Sequence, residues 1–180
     1  MANSKPSALR GVFSLIVIGV IIAIAINAAH KNNNTANTST GTNATGAVTS
    51  GGMARIGQVA KDGNFAFVVK GMQCGHAISI EVGGVPAGAT ECLLTMTVNA
   101  DKGTGEQFFA SNQYAYDASG RKYQADDNAL FNMSDTGDMS TINPGLSITA
   151  LVPFQVPVGD KLAKVELHDS MFSEGVNVGL

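Results

Sequence analysis

Acidic residues are absent from the first third of the chain. No Asp or Glu precedes Asp62, and before Arg55 the only charged residues are Lys5, Arg10 and Lys31. The part after residue 54 therefore holds all 14 acidic residues against eight basic ones, a formal net charge of −6. A nucleic-acid partner requires clustered Lys and Arg to face its phosphates. The charge pattern excludes nucleic acid as the expected partner.

Signatures of catalysis and of zinc binding are also missing. The chain has neither G-x-S-x-G nor C-x-x-C, and its Gly-rich stretch VGGVPAGAT lacks the Lys of a phosphate-binding loop. The three histidines, His30, His76 and His168, are too scattered for a zinc site. We therefore expect no enzymatic activity and no cofactor.

One sequence, His168-Asp169-Ser170, invites interpretation as a catalytic triad. A triad needs side chains that converge in space, whereas neighbouring residues of a strand point to opposite faces. We interpret these residues as the end of a strand that runs into a turn.

One long apolar run is present, from Gly11 to Ala29, and none of its residues is charged. About 20 apolar residues allow a helix to cross the roughly 30 Å of hydrocarbon in a bilayer. Lys5 and Arg10 precede the run, so residues 1–10 are expected in the cytoplasm and the rest of the chain outside. We expect residues 11–29 to be an uncleaved transmembrane anchor. The alternative is a cleaved signal peptide and a secreted protein, although Asn27 replaces a small residue at the candidate junction.

Residues 30–54 consist mainly of Asn, Thr, Ser, Ala and Gly. They contain almost no large apolar side chain whose burial could offset the entropy lost on ordering. The composition predicts a disordered linker between the membrane and a folded domain at residues 55–180.

The folded part shows alternating apolar residues and no 3.6-residue period. The clearest runs are NFAFVVKG, ECLLTMTVNA and SITALVPFQVP, followed by the alternating set Ala163, Val165 and Leu167. Alternation gives each strand one apolar and one polar face. Turn sequences separate the runs at Gly83-Gly84, Asp117–Gly120 and Asn143–Gly145. This pattern predicts an all-β fold, an antiparallel β-sandwich.

The two cysteines, Cys74 and Cys92, both lie in the exported part. An even number of cysteines in an oxidising compartment predicts a disulfide. A metal pair or a redox pair would be expected at closer spacing, so we predict a structural disulfide.

The succession of motifs resembles the domain-of-unknown-function 4352 family over about residues 55–180. The resemblance rests mainly on S-N-Q-Y-x-Y-D-x-x-G-R-x-Y, N-P-G-L-S and F-x-V-P-x-G-x-K-L. It implies an immunoglobulin-like sandwich of a secreted or membrane-anchored protein, similar to small secreted mycobacterial antigens. Two departures are Pro153, which predicts disturbed strand pairing, and the Gly-rich stretch after Glu81.

Two function classes remain. The first is a non-enzymatic cell-surface module that binds a protein or an envelope component. The second is an envelope sensor for a small ligand or for calcium. Oxygen ligands of the kind that Ca²⁺ prefers are supplied by Asp126, Asp127, Asp135 and Asp138, although their spacing does not fit an EF-hand. We favour the first class, with the Gly-rich loop and residues 126–139 as candidate contact loops.

Overall fold

The computed structural model describes residues 46–75 and 85–180. Two sheets contain nine of the strands, with spatial orders β1-β11-β10-β6-β7 and β2-β3-β4-β9, and a small third sheet pairs β5 with β8. The strands are β1 (Met53–Arg55), β2 (Val59–Asp62), β3 (Phe65–Cys74), β4 (Ala89–Ala100), β5 (Glu106–Gln107), β6 (Tyr114–Asp117), β7 (Lys122–Gln124), β8 (Thr141–Ile142), β9 (Ser147–Pro157), β10 (Leu162–Leu167) and β11 (Val176–Gly179).

Side chains from both large sheets form one buried cluster, so the predicted all-β sandwich is confirmed. The apolar residues of the three long runs are buried as their alternation requires. Those with at most 1% exposure are Phe65, Phe67 and Val69 of β3, Cys92, Leu94, Met96, Val98 and Ala100 of β4, and Ala150, Val152, Phe154 and Val156 of β9.

The predicted alternation of buried side chains in β10 is wrong for the first residues of this strand. Val165 and Leu167 are fully buried, but Ala163 is exposed and Leu162 packs against the core instead. The pairing of β10 with β6 shifts register between Leu162 and Lys164. An extra residue at such a bulge moves the following side chains to the other face.

Pro153 does not disturb the pairing of β9, contrary to the prediction. It lies opposite Leu93 within a continuous antiparallel register between β4 and β9. Its carbonyl accepts a hydrogen bond from the Asp126 N–H at 2.9 Å, on the side of β9 that faces away from β4. The N–H that proline lacks would have pointed to this outer edge, so no bond of the β4–β9 ladder is lost.

The prediction of a disordered linker over residues 30–54 is wrong for the last of these residues. β1 begins at Met53 and pairs in parallel with β11, and Ala54 is fully buried. Val48 already bonds to the backbone of Val59 and Lys61. The ordered domain therefore begins before residue 54, because these few apolar residues find partners on both sheets. Residues 30–45 of the predicted linker lie outside the described residues.

A short helix lies between β7 and β8. It was not predicted from the sequence, because the folded part shows no helical period. α1 spans Asp127–Asn132, and Asp126 caps it by accepting hydrogen bonds from the N–H groups of Asn128 and Ala129. An N-terminal Asp cap can start a helix too short to show a period. Within residues 46–75 and 85–180, no helix has the length and apolarity needed to cross a bilayer. The anchor predicted at residues 11–29 lies outside the described part.

A disulfide joins Cys74 and Cys92, which confirms the predicted pair. The two residues face each other on β3 and β4, and Cys92 is fully buried. The bond holds together the two strands on either side of the long connection that includes the Gly-rich stretch.

Replacing both cysteines with Ala should destabilise the protein. With a separation of 18 residues, the chain-entropy model predicts a loss of about 3 kcal/mol in the free energy of unfolding. Urea unfolding of the oxidised wild type, the reduced wild type and the double variant measures it. Equal unfolding midpoints for all three proteins would contradict a stabilising role.

Candidate functional site

The motif D-x-x-G-R-x-Y folds into a network around the buried carboxylate of Asp117. This carboxylate accepts hydrogen bonds from the backbone and hydroxyl of Ser119, and from the backbone and Nε of Arg121, at 2.5 to 2.9 Å. Arg121 also pairs with Asp160 at 2.7 Å, and the Tyr123 hydroxyl lies within 3.2 Å of both carboxylates. The network ties the β6–β7 turn to the β9–β10 turn.

The electrostatics of this network keep it in one protonation state at neutral pH. Burial by itself would raise the pKa of Asp117, but the hydrogen bonds from Ser119 and Arg121 lower it far below its ordinary value. Burial and the two carboxylates raise the pKa of Tyr123 to about 12. Neither group is poised to exchange a proton near pH 7, so these motif residues have a structural role.

Gln113, which belongs to the longer motif S-N-Q-Y-x-Y-D-x-x-G-R-x-Y, holds the end of β10 in place. It is fully buried, its amide donates to the His168 carbonyl at 3.0 Å, and its Oε1 accepts from the His168 N–H at 2.8 Å. The amide also donates to the Phe109 carbonyl at 2.9 Å. These bonds fix the position from which the segment after His168 leaves the sheet.

The structure does not assemble a triad from His168, Asp169 and Ser170. The His168 Nε2 lies 2.9 Å from the Glu166 carboxylate, and its Nδ1 lies 3.2 Å from the Ser173 carbonyl. Among the described residues, no hydrogen bond joins the side chains of the three consecutive residues. His168 is 8% exposed and its ring meets Tyr114 edge to face.

The four proposed calcium ligands are not gathered into one site. Asp126 caps α1, and Asp138 accepts a hydrogen bond from the Ala110 N–H at 2.7 Å. Asp127 and Asp135 are exposed. In the part of the chain that the structure describes, no group of three or more His, Cys, Asp or Glu residues could hold a metal ion.

A cleft of about 460 Å³ lies beside the segment that Gln113 positions. We call it the Phe172 cleft, after a side chain that is 91% exposed. Met171, 71% exposed, lies next to it. Other residues that line the cleft include Glu106, Ser111 and Asp169.

A second cleft, of about 470 Å³, meets the first at Ser111. We call it the Phe131 cleft, because Phe131 of α1 lines it and is 90% exposed. Met139, which is 65% exposed, also lines it and adopts a left-handed backbone with φ of 57°. A non-glycine residue in this region is strained, and such strain is common at functional sites. Asp127 and Asp138 line the same cleft.

The profile of the family described as a domain of unknown function, DUF4352, matches residues 54–178. The chain belongs to this family. Sequence reasoning found the family and its motif residues, and the candidate contact loop at residues 126–139 supplies all of the Phe131 cleft lining except Ser111. It did not predict the Phe172 cleft or the exposed apolar side chains of the two clefts, and part of the Gly-rich stretch lies outside the described residues. The exposed Phe and Met residues of the clefts lie in loops and in α1, where no periodic pattern marks them.

The fold of this DUF4352 domain is similar to that of a solved secreted protein. MPT63, a secreted protein from Mycobacterium tuberculosis, has a TM-score of 0.51 at 19% identity, covering 70% of this chain and 93% of that one. A β-sandwich protein from Clostridium difficile 630 has a TM-score of 0.48 at 8% identity, covering 71% of this chain and 93% of that one. No curated protein matches the sequence. The likeness to MPT63 supports the β-sandwich and carries no functional information at this identity.

Gly175 of the DUF4352 domain packs against the ring of His168. Its φ is +74°, and a Cβ placed there would lie 2.6 Å from the ring carbon Cε1. We expect Gly175→Ala to destabilise the domain through both strain and collision. Gly120→Ala is the matched control, because Gly120 has φ of +85° and no heavy atom within 4 Å of the added Cβ.

Gly175→Ala should lower the free energy of unfolding by about 1–3 kcal/mol more than Gly120→Ala, because inserting a methyl group into a filled site costs about this much. Denaturant unfolding of the two variants measures the difference. Equal losses of unfolding free energy in the two variants would show that backbone strain alone destabilises them and that the His168 ring can move to admit the added Cβ.

Glu91 of β4 is a buried carboxylate that is only partly satisfied. Its Oε1 accepts a hydrogen bond from Gln155 at 3.2 Å, whereas Oε2 has no partner among the described residues. Burial raises the pKa of Glu91, the bond from Gln155 opposes this, and the carboxylate of Asp126 raises it further.

A raised carboxyl pKa means that the folded protein holds a proton that the unfolded chain has lost. The contribution of Glu91 to stability should therefore fall as pH rises from the ordinary pKa of Glu through the raised one. Glu91→Gln removes this loss, so its gain in melting temperature over the wild type should grow as pH rises above the ordinary pKa of Glu and level off above the raised pKa of Glu91. The exposed Glu174→Gln serves as control, and a pH-independent gain for Glu91→Gln would refute the assignment.

Proposed function

We propose that this DUF4352 domain is a non-enzymatic interaction module, displayed outside the cell and tethered by an uncleaved anchor at residues 11–29. Its working surface is the pair of clefts that meet at Ser111. The observation that carries the proposal is the exposure of four large apolar side chains around these clefts, Phe131, Met139, Met171 and Phe172.

Exposed apolar side chains are common singly, but a contiguous group marks a binding surface. Each of these side chains would lose water contact on docking, at a gain of about 25 cal/mol per Å² of apolar surface. Phe and Met are also enriched at the centres of protein interfaces. A protein or envelope component that covers both clefts would use this energy.

An extracellular location agrees with the disulfide, because such bonds persist in oxidising compartments. The resemblance in fold to a secreted mycobacterial protein and the apolar segment near the amino terminus favour the same location. We further propose that the sandwich is immunoglobulin-like. Supporting this, β10 lies between β11 and β6, β4 pairs with β9, and β1 pairs in parallel with β11.

A second candidate function is a small-ligand sensor. The Phe172 cleft, at about 460 Å³, falls within the range of volumes typical of ligand sites, about 300–1,000 Å³. Binding of a small apolar molecule would leave Phe131 and Met139 uncovered, so we prefer the interaction module. Calcium has no supporting observation beyond the loop composition.

Photo-cross-linking in the producing cells tests the interaction module. We would place p-benzoylphenylalanine at Phe172 and, as a matched control, at Val158, which is 67% exposed and lines neither cleft. We expect one reproducible cross-linked partner from the first position and none from the second. Phe172→Ser should abolish capture by a cross-linker placed at Phe131, without lowering the melting temperature.

The same partner captured equally from both positions would contradict a docking surface at the clefts. The bare protein recovered from both positions would shift the assignment to the small-ligand sensor.

A further inference from the structure

The charged groups around the two clefts all have one sign. Glu106 and Asp169 line the Phe172 cleft, and Asp127 and Asp138 line the Phe131 cleft. No Lys, Arg or His lines either cleft among the described residues. The exposed apolar side chains therefore lie within a rim of carboxylates.

Two of these carboxylates are held in place by the same residue. The Asn64 side-chain amide donates to Glu106 at 3.1 Å, and the Asn64 backbone N–H donates to Asp169 at 3.3 Å. The Asp169 N–H is bound in turn by Asp62 at 2.7 Å. The acidic side of the Phe172 cleft is thus pre-organised rather than formed by freely moving surface side chains.

Packing three carboxylates together has an energetic cost that a cation would relieve. Burial raises the pKa of Asp169, the bond from Asn64 opposes this, and the charges of Glu106 and Asp62 raise it further. A positive group placed between Glu106 and Asp169 would be attracted by both.

The sign of the rim also discriminates between possible occupants. A second copy of this chain would bring its own acidic rim against the first, and like charges at an interface disfavour association. An anionic lipid surface would be repelled for the same reason. A segment that carries both apolar anchors and Lys or Arg matches the apolar floor and the acidic rim together.

We propose that the paired clefts bind a basic amphipathic segment of a partner protein, whose apolar side chains fill the clefts and whose Lys or Arg side chains pair with Glu106 and Asp169. This rests on the proposed function and names the chemistry of the partner. Met139 and Met171 suit such a site, because the unbranched thioether side chain adapts its shape to different apolar anchors.

The test compares two synthetic peptides of equal length with identical Leu and Phe positions, one with Lys and the other with Glu at the remaining positions. Fluorescence anisotropy of each labelled peptide is measured against the full chain in detergent. We expect the Lys peptide to bind, the Glu peptide not to bind, and the affinity for the Lys peptide to fall as salt is added.

Variants locate the site. Phe172→Ser, and separately the double variant Glu106→Gln with Asp169→Asn, should each weaken binding of the Lys peptide by about tenfold or more. The amides keep the acceptors that Asn64 uses, so the fold is retained. The control Val158→Ser should bind as the wild type does.

Equal affinity for the two peptides, or binding that neither set of substitutions weakens, would overturn the proposal. So would salt-strengthened self-association of the chain through Phe172, or binding to anionic vesicles that Phe172→Ser abolishes. A partner cross-linked from Phe172 through an acidic segment would leave the interaction module standing and refute its basic partner. Absence of any cross-linked partner together with absence of peptide binding would refute both.

Discussion

The constraint on which the sandwich depends is the two-sided pairing of β4. This strand pairs with β3 on one side and with β9 on the other, in antiparallel registers that run almost its full length. Its alternate side chains from Cys92 to Val98 are fully buried. A slip of one residue would turn this entire set toward solvent, so burial fixes the register of three strands at once. The disulfide at Cys92 closes one end of the same ladder.

Buried polar groups then determine where the loops leave the sheets. Asp117 joins the β6–β7 turn to Asp160 through Arg121, and Gln113 bonds to both backbone groups of His168. Breaking either arrangement would leave buried groups unsatisfied, which costs more than a hydrogen bond contributes when formed. The most recognisable motif of the sequence therefore acts as the scaffold of the domain, and the segment that carries Met171 and Phe172 is positioned by it.

This arrangement separates stability from binding. Motif residues form the network and the bonds of Gln113 to His168, whereas the exposed Phe and Met side chains of the clefts lie in loops and in α1. Ser111 and Asn112 are the motif residues that also line these clefts. A rigid sandwich that presents variable loops is a common way to build a recognition surface. In this chain the loops combine exposed aromatic and Met side chains with carboxylates, which together define the chemistry of the proposed partner.

The sequence by itself determined the all-β class, the family, the disulfide and the buried face of each long strand. These follow from local rules, since strand residues alternate between faces and two exported cysteines pair. Only the tertiary structure decided the bulge that exposes Ala163, the harmless edge position of Pro153 and the early start of the domain at Val48. It also decided the separation of the four acidic residues that the sequence offers as calcium ligands. The placement of the Phe172 cleft belongs to the same group, because Glu106, Ser111 and Met171 are distant in the sequence and line one cleft only in the folded chain.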